Sequence, residues 1–198
     1  MRVVGLTGGI GSGKTTAAKC FRARGIPVYN ADQRARSLMN KSKALKAQVI
    51  DLLGPQAYQD GRLNADWVAD RVFHDPVLLD GLNAIEHPAV AKDFCCWLAR
   101  QRGGFVVKEA AVLFEAGADA QCDAIITVVA PVDLRIRRVQ KRDGLSVEAI
   151  RARMDKQWRD REKVALSDYV IWNDKSRSDL EKSVWEVHEK LNRRLNDA

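Results

Sequence analysis

One eight-residue segment near the start of the chain restricts the fold more than any other feature. It matches the pattern G-x-x-x-x-G-K-[ST], in which glycines let the backbone wrap so tightly that its N–H groups point at phosphate oxygens. The matching residues, followed by Thr16, are Gly8, Gly9, Ile10, Gly11, Ser12, Gly13, Lys14 and Thr15. The segment predicts an ATP-binding phosphate loop, in which Lys14 reaches the β- and γ-phosphates and the Thr15 hydroxyl ligates Mg²⁺.

A phosphate loop requires a strand before it and a helix after it, and the sequence predicts both. Residues 2–7 are largely apolar and are typical of a short buried strand, and residues 14–21 have helical character. Residues 26–29 favour a second strand, and Pro27 favours its start or an edge position. Strand, loop, helix and strand in this order predict a βαβ unit and therefore a parallel sheet.

Three later apolar runs predict strands that are covered on both faces of the sheet. They lie at residues 105–107, 124–129 and 169–172. Together with the first two strands, they predict an α/β P-loop NTPase fold with a five-stranded parallel sheet flanked by helices. At the C-terminus, a capping box at Ser178 and Glu181 predicts a helix that packs on this sheet through the stripe Leu180, Val184, Val187 and Leu191.

About 75 residues separate the second and third strands, which is too many for one crossover helix. Apolar residues recur there at roughly helical spacing, so we predict a helical insertion, about 31–95, that binds the acceptor substrate. We assign the core of a single domain to residues 1–30, 104–134 and 164–198, and a lid to about 135–163.

The lid assignment comes from the distribution of charge. The net charge is +7, and residues 135–163 contain eleven Lys and Arg against five acids, which accounts for six of the surplus charges. Guanidinium groups bind phosphate through paired hydrogen bonds, so a concentrated basic stretch predicts a helical lid over phosphates. The alternative is a solvated helix face. A general nucleic-acid binder more often spreads its positive charge along a face or tail.

Acidic residues follow two of the predicted strands, at the sheet edge where the phosphate loop lies. Asp32 is a candidate base for the proton of an attacking hydroxyl, or else a cap for a helix that begins near Gln33. Glu109 is a candidate to hold a water on Mg²⁺, or else a solvated charge at a strand end. Glu115, which follows residues 112–114, is a second candidate for this role at Mg²⁺, or else a cap for the local structure.

The motifs, in their order along the chain, resemble those of the dephospho-coenzyme A kinase family. The resemblance spans essentially the whole chain and includes positions that the general phosphate loop leaves free. It rests on Gly5 to Thr16, Ala31-Asp32, Arg34 to Arg36, His87-Pro88, Leu113-Phe114-Glu115, Arg138, Arg142-Asp143, Gln157, Asp168 to Ile171 and Asn173. Two departures are Asn30, where the family has an acid, and the absence of a proline near Ala111.

The resemblance implies transfer of the γ-phosphoryl group of ATP to the ribose 3′-hydroxyl of dephospho-CoA, which is the last step of coenzyme A biosynthesis. It implies that Asp32 is the base and that Arg142 reaches the phosphates from the lid, with Arg138 as a weaker partner. It places His87 in the acceptor region, where a structural role is the alternative. The expected co-substrates are ATP and dephospho-CoA, with Mg²⁺ as cofactor.

Other functions remain open from the residues alone. Another small P-loop kinase, acting on a nucleotide, shikimate or gluconate, has nearly the same spacing of chemical groups. The pI of about 9.4 motivates a nucleic-acid-stimulated ATPase. A non-catalytic nucleotide-binding module is disfavoured by the presence of Lys14, Thr15 and Asp32 together. GTPases are disfavoured because no base-reading N-K-x-D motif stands at a strand end.

The composition restricts location and covalent chemistry. No apolar run is long enough to span a bilayer, and the first residues lack a signal peptide, so a cytoplasmic protein without membrane partners is expected. The four cysteines form no C-x-x-C pair, which argues against a zinc site or a disulfide framework. We expect a monomer, with weak self-association as the alternative, and no nucleic-acid partner.

Overall fold

Helices separate most strands of the main sheet along the chain, as is usual in an α/β fold. The structure is a computed structural model that describes residues 1–196. In chain order its elements are β1 (Arg2–Thr7), α1 (Lys14–Ala23), β2 (Val28–Asn30), α2 (Ala31–Lys41), α3 (Lys43–Leu53), β3 (Tyr58–Gln59), β4 (Arg62–Leu63), α4 (Ala65–Phe73), α5 (Pro76–Leu98), β5 (Phe105–Glu109), β6 (Ala124–Val129), α6 (Val132–Asp143), α7 (Val147–Asp155), α8 (Asp160–Ala165), β7 (Tyr169–Trp172) and α9 (Arg177–Asn196). They divide into two compact units, residues 1–30 with 101 onward, and residues 31–100.

The first unit is built on a five-stranded sheet in the order β2-β5-β1-β6-β7, with every pair parallel. The central strand is β1, in which Val4 pairs with Val107 of β5 and with Ala124 of β6. Every residue of β5 and β6 is buried, as expected for strands covered on both faces. The predicted fold class is confirmed.

The second strand has different bounds from those predicted. It runs over Val28–Asn30, so it begins after Pro27 and ends one residue later than expected. The Pro27 carbonyl oxygen still accepts a hydrogen bond from the Val107 N–H at 2.9 Å. Because Pro27 lies at the start of an edge strand, the sheet does not need the backbone N–H that proline lacks. The shift places Asn30 in register with Glu109 of β5.

The C-terminal helix begins one residue earlier than the predicted cap. The predicted capping box at Ser178 and Glu181 is wrong, because the reciprocal hydrogen bonds join Ser176 and Asp179, each at 3.2 Å. The predicted apolar stripe is confirmed. Its residues are buried in a core shared with the sheet and α1, and they are Leu180, Val184, Val187 and Leu191.

The second unit, residues 31–100, consists of α2 to α5 and a two-stranded hairpin, β3–β4. It has its own apolar core, made by Met39, Val49, Leu53, Ala57, Val68, Val72 and Leu82. The helices agree with the spacing of apolar residues, whereas the hairpin was not predicted because each of its strands has only two residues. The longest helix here is α5, capped by the Asp75 carboxylate and containing Pro88.

The basic stretch predicted as a lid forms α6, α7 and α8 of the first unit. A small apolar cluster joins the first two of these helices, formed by Ile136, Val139 and Ile150. Ile10, from the glycine-rich loop, packs against the same cluster. The base of this helical region therefore packs directly on the loop between β1 and α1.

Candidate active site

The glycine-rich loop leaves the carboxyl end of the central strand and leads into α1. Gly11 and Gly13 have φ values of 77° and 102°, which side chains rarely adopt, so the tight wrap depends on glycine at both positions. Lys14 is buried, and its ammonium donates to the carbonyl oxygens of Gly8 at 2.7 Å and Gly9 at 3.3 Å. Its charge is thus held at the loop, where phosphate oxygens can compete with these carbonyls for it.

Beside the loop, the buried carboxylate of Glu109 receives two hydrogen bonds from neutral donors. The Thr15 hydroxyl donates to Oε1 at 2.8 Å, and the Asn30 amide donates to Oε2 at 2.7 Å. Only 3% of Glu109 is exposed, so it is not the solvated charge of the alternative interpretation. The structure therefore brings together the two residues that the sequence proposed for the metal.

This cluster fits a divalent cation that is shared with a phosphate ligand. The Thr15 hydroxyl donates its hydrogen to Glu109, which leaves its oxygen lone pairs available to a hard cation such as Mg²⁺. Within residues 1–196 no group of three or more His, Cys, Asp or Glu side chains forms a protein-only metal site. Mg²⁺ usually keeps waters and substrate phosphates among its ligands, so one hydroxyl and one carboxylate are a sufficient protein contribution to such a site.

Asn173, which lies just after β7, holds the backbone of the glycine-rich loop from another side. Its amide donates to the Ser12 carbonyl oxygen at 2.7 Å, and its Oδ1 accepts from Arg138 at 3.3 Å. A side chain at Gly13 would lie 2.0 Å from the Asn173 amide nitrogen, so this contact requires glycine there. Asn173 thus links the loop to the lid arginine predicted from the sequence.

A cavity of about 270 Å³ opens at this point, lined by residues that include Gly13, Thr16, Arg138 and Asn173. Burial lowers the pKa of Arg138, and one of its terminal nitrogens is buried without a hydrogen-bond partner. A partly enclosed cavity beside a phosphate loop, with a mainly apolar lining and a few polar groups, suits the nucleoside part of a nucleotide.

The other lid arginine, Arg142, lies near the exposed C-terminal end of α6. Its guanidinium makes two parallel hydrogen bonds to the Asp143 carboxylate, both at 2.7 Å, and 63% of its side chain is exposed. The bond to Asp143 raises the pKa of Arg142. Its role at the phosphates stays a prediction.

Glu115, the second candidate acid, belongs to a buried ion pair. Its Oε1 lies 2.8 Å from the ammonium of Lys163, which is fully buried on α8, and also accepts from the Trp158 N–H at 2.9 Å. Lys163 further donates to the Ala111 carbonyl oxygen at 3.0 Å. The pair therefore fixes the turn after β5, where this chain lacks the proline of the family pattern.

In the second unit, Asp32 lies in the first turn of α2, which begins at Ala31, so it is not a flanking cap. Burial raises the pKa of Glu86 on α5, the charge of Asp32 raises it further, and Arg36 opposes the shift. Desolvation lowers the pKa of the neighbouring His87, which favours the neutral imidazole. The roles of Asp32 and His87 stay predictions.

Three contacts to the loop were not assigned from the sequence. Asn173 and Gln157 had been noted only as parts of motifs, and Arg135 only as part of a basic run. Arg135 donates to the Ile10 carbonyl oxygen at 2.8 Å, and Gln157 accepts from the Ile10 N–H at 2.8 Å. These are side-chain contacts to backbone more than 120 residues away, so no local spacing indicates them.

A phosphate loop at the end of the central parallel strand, with a buried acid facing its threonine, is the arrangement of a P-loop kinase. The structure of shikimate kinase from Bacteroides thetaiotaomicron shares this fold, with a TM-score of 0.57 at 16% identity over 96% of this chain and 98% of that one. Among the described residues, no helix is long and apolar enough to cross a membrane.

Sequence comparison identifies the family. The profile of the dephospho-CoA kinase family matches residues 2–179, and the chain belongs to that family. The dephospho-CoA kinase of Syntrophotalea carbinolica is 41% identical over 181 residues, which are 89% of this chain and 85% of the relative. A crystal structure of a Thermus thermophilus protein has a TM-score of 0.85 and 35% identity, covering 96% of this chain and 97% of that one.

Proposed function

We propose that the protein transfers the γ-phosphoryl group of ATP to the ribose 3′-hydroxyl of dephospho-CoA, giving CoA and ADP. The observation that carries this proposal is the Thr15–Glu109 contact at the phosphate loop, in a chain of the dephospho-CoA kinase family. The contact supplies the acid and hydroxyl pair that phosphoryl transfer from a metal–nucleotide complex requires.

The phosphate loop binds and orients the triphosphate. Its backbone N–H groups and the positive end of α1 bind the phosphates, and Lys14 exchanges its contacts with Gly8 and Gly9 for phosphate oxygens. Thr15 would hold Mg²⁺ directly and Glu109 would hold it through water, and the ion would supply neutralisation of charge on the phosphoryl group.

The cavity beside Gly13 accommodates the nucleoside of ATP. Arg138 and Asn173 border it, so a guanidinium and a carboxamide lie at its edge. Arg142 exchanges Asp143 for the phosphates when the nucleotide is bound.

The acceptor hydroxyl requires a base, and we assign this role to Asp32. Asp32 follows Asn30 by two residues, and Asn30 contacts Glu109. A carboxylate that accepts the hydroxyl proton raises the nucleophilicity of the attacking oxygen. His87 lies in the same unit and binds the acceptor as a neutral imidazole.

Product formation across a panel of acceptors tests the proposal. ADP release from ATP and Mg²⁺ is measured with dephospho-CoA, AMP, shikimate, gluconate or an oligonucleotide, and the phosphorylated product is located by phosphorus NMR. We expect stimulation by dephospho-CoA and a new 3′-phosphate. Stimulation by another acceptor, with none by dephospho-CoA, would overturn the assignment and identify the alternative class.

A further inference from the structure

Ile10, at the tip of the phosphate loop, is held by its N–H, its carbonyl and its side chain. The N–H donates to Gln157 Oε1 at 2.8 Å, and the carbonyl accepts from Arg135 Nε at 2.8 Å. The side chain packs on the apolar cluster of α6 and α7. Arg135 lies near the start of α6 and Gln157 just after α7, so both ends of this helical pair attach to one loop residue.

The Arg135 guanidinium also occupies the space beside Gly9. A Cβ atom at Gly9 would lie 2.1 Å from Arg135 Nη2 and 2.6 Å from Cζ. The φ of Gly9 lies outside the left-handed region, so the backbone itself would accept alanine. The requirement for glycine at this position therefore comes from Arg135.

Arg135 cannot easily move out of this position. Its side chain is 7% exposed, and its Nη1 forms an ion pair at 2.8 Å with Asp160, the first residue of α8. With Nε on Ile10 and Nη1 on Asp160, two sides of the guanidinium are already engaged in fixed hydrogen bonds. Such a cation, paired and buried, suits positioning of the backbone better than capture of a phosphate.

We propose that Arg135, Gln157 and Asp160 form a brace that sets the shape of the phosphate loop before ATP binds. Arg135 is a positioning residue, since it acts through Ile10 and Gly9. A glycine-rich loop is costly to order when ligand binds, and holding it in the binding conformation beforehand removes part of that cost. This inference rests on one part of the proposed function, namely that the loop binds ATP.

A double-mutant cycle on Gly9 and Arg135 tests the brace. Gly9→Ala pushes the guanidinium out of place, and Arg135→Ala removes it, so both act on the same contacts. We expect each single variant to weaken ATP affinity about tenfold, as for loss of one charge-assisted hydrogen bond. The double variant should be no weaker than Arg135→Ala alone, because the added methyl group then meets empty space.

Isothermal titration with ATP and Mg²⁺, without an acceptor, gives the affinities. If the loss of ATP affinity in the double variant equals the product of the two single losses, the brace is wrong. It is also wrong if Arg135→Ala binds ATP as tightly as the wild type. Arg193→Ala, which removes an exposed arginine of α9, is the control and should leave ATP affinity unchanged.

A second variant covers the case in which Arg135→Ala does not fold. Gln157→Leu removes only the acceptor for the Ile10 N–H, and we expect a several-fold rise in KM for ATP with KM for dephospho-CoA and Tm unchanged. A loss of Tm without a change in ATP affinity would indicate a merely structural contact. Failure of the wild-type chain to phosphorylate dephospho-CoA would overturn the proposed function but not the brace, because the cycle measures ATP binding alone.

Discussion

The Thr15 hydroxyl donates a hydrogen bond to the Glu109 carboxylate over 2.8 Å, which joins the first turn of α1 to the end of β5. The contact orients the hydroxyl so that its hydrogen points at the acid and its lone pairs are available to a cation. Together with the Asn30 amide, it gives the buried carboxylate a hydrogen-bond donor on each oxygen.

Glu109→Gln should therefore weaken the response to Mg²⁺ while leaving the fold intact. The amide oxygen still accepts from Thr15, but the negative charge that favours the cation is lost. We expect a fall of about ten- to a hundredfold in kcat/KM and a higher Mg²⁺ concentration at half-maximal rate, measured by Mg²⁺ titration. Glu186→Gln, on the exposed face of α9, is the control; equal Mg²⁺ responses in the two variants would contradict the assignment.

Asn30 replaces an acid of the family pattern, and its contact with Glu109 gives a physical reason for the replacement. Its amide donates to Glu109 at 2.7 Å, where an aspartate would place a second carboxylate against the first. Asn30→Asp should lower Tm by about 3 °C in the absence of divalent cations, because like charges at this distance repel. Added Mg²⁺ should recover most of the loss, and a Tm deficit that is the same with and without Mg²⁺ would exclude this explanation.

Much of the sheet could be predicted because its signals are local. The runs that became β5 and β6 are continuous and apolar, and burial on both faces is the physical reason for that pattern. The run that became β7 was also expected to be covered on both faces, which is wrong, because β7 is an edge strand in which only Ile171 is buried and Trp172 is exposed. The β3–β4 hairpin escaped prediction because strands of two residues are too short to show any period. The start of α9 was misplaced because Ser176 and Ser178 offer competing caps two residues apart.

The candidate site was predictable only where a residue's role depends on its neighbours in sequence. The phosphate loop and Glu109 were found in this way. Arg135 and Lys163 were counted in the basic stretch predicted to bind phosphates as a lid, yet both are buried and paired with acids. A charge count cannot distinguish a solvated guanidinium from one that is packed on a backbone more than 120 residues away.

Asp32→Asn should separate catalysis from nucleotide binding. If Asp32 accepts the acceptor's proton, the variant should lose about a hundredfold or more in kcat, the usual contribution of a general base. ATP affinity should stay near wild type, because phosphate binding depends on the loop. Rates come from the ADP-release assay and affinities from titration with ATP. Asp70→Asn, an exposed acid on α4, is the control, and a near-normal rate in Asp32→Asn would remove the base assignment.

Glu86→Gln should change how stability depends on pH. Burial raises the pKa of Glu86, with a further rise from Asp32 and an opposing effect from Arg36. A carboxyl whose pKa is raised by folding makes the folded protein less stable as pH rises. The loss develops between the pKa of the unfolded state, about 4.3, and the pKa of the folded state. The neutral amide avoids this loss, so we expect Tm higher than wild type by on the order of 2 °C at neutral pH and no gain below about pH 4.

Thermal unfolding of both proteins across this pH range measures the difference. A gain that persists unchanged at acidic pH would mean that packing, rather than ionisation, distinguishes the two side chains. Asp70→Asn serves again as the control, since its exposed carboxyl should leave the difference from wild type small at every pH.

Lys163→Met should be the most destabilising of these substitutions. Lys163 is fully buried, and its ammonium contacts Glu115 at 2.8 Å and the Ala111 carbonyl at 3.0 Å. Methionine fills the space of the stem but leaves a carboxylate that is only 15% exposed without its cation. We expect a loss of about 3 kcal/mol in the free energy of unfolding, measured with urea, as for other broken buried pairs.

Adding Glu115→Gln to Lys163→Met should restore part of this stability. The amide oxygen can still accept from the Trp158 N–H, and no uncompensated charge remains in the interior. We expect the double variant to lie only about 1 kcal/mol below wild type, so that the second substitution stabilises the first. Lys182→Met, exposed on α9, controls for the loss of a lysine. If the double variant is less stable than Lys163→Met, the cost comes from lost hydrogen bonds rather than from a buried charge.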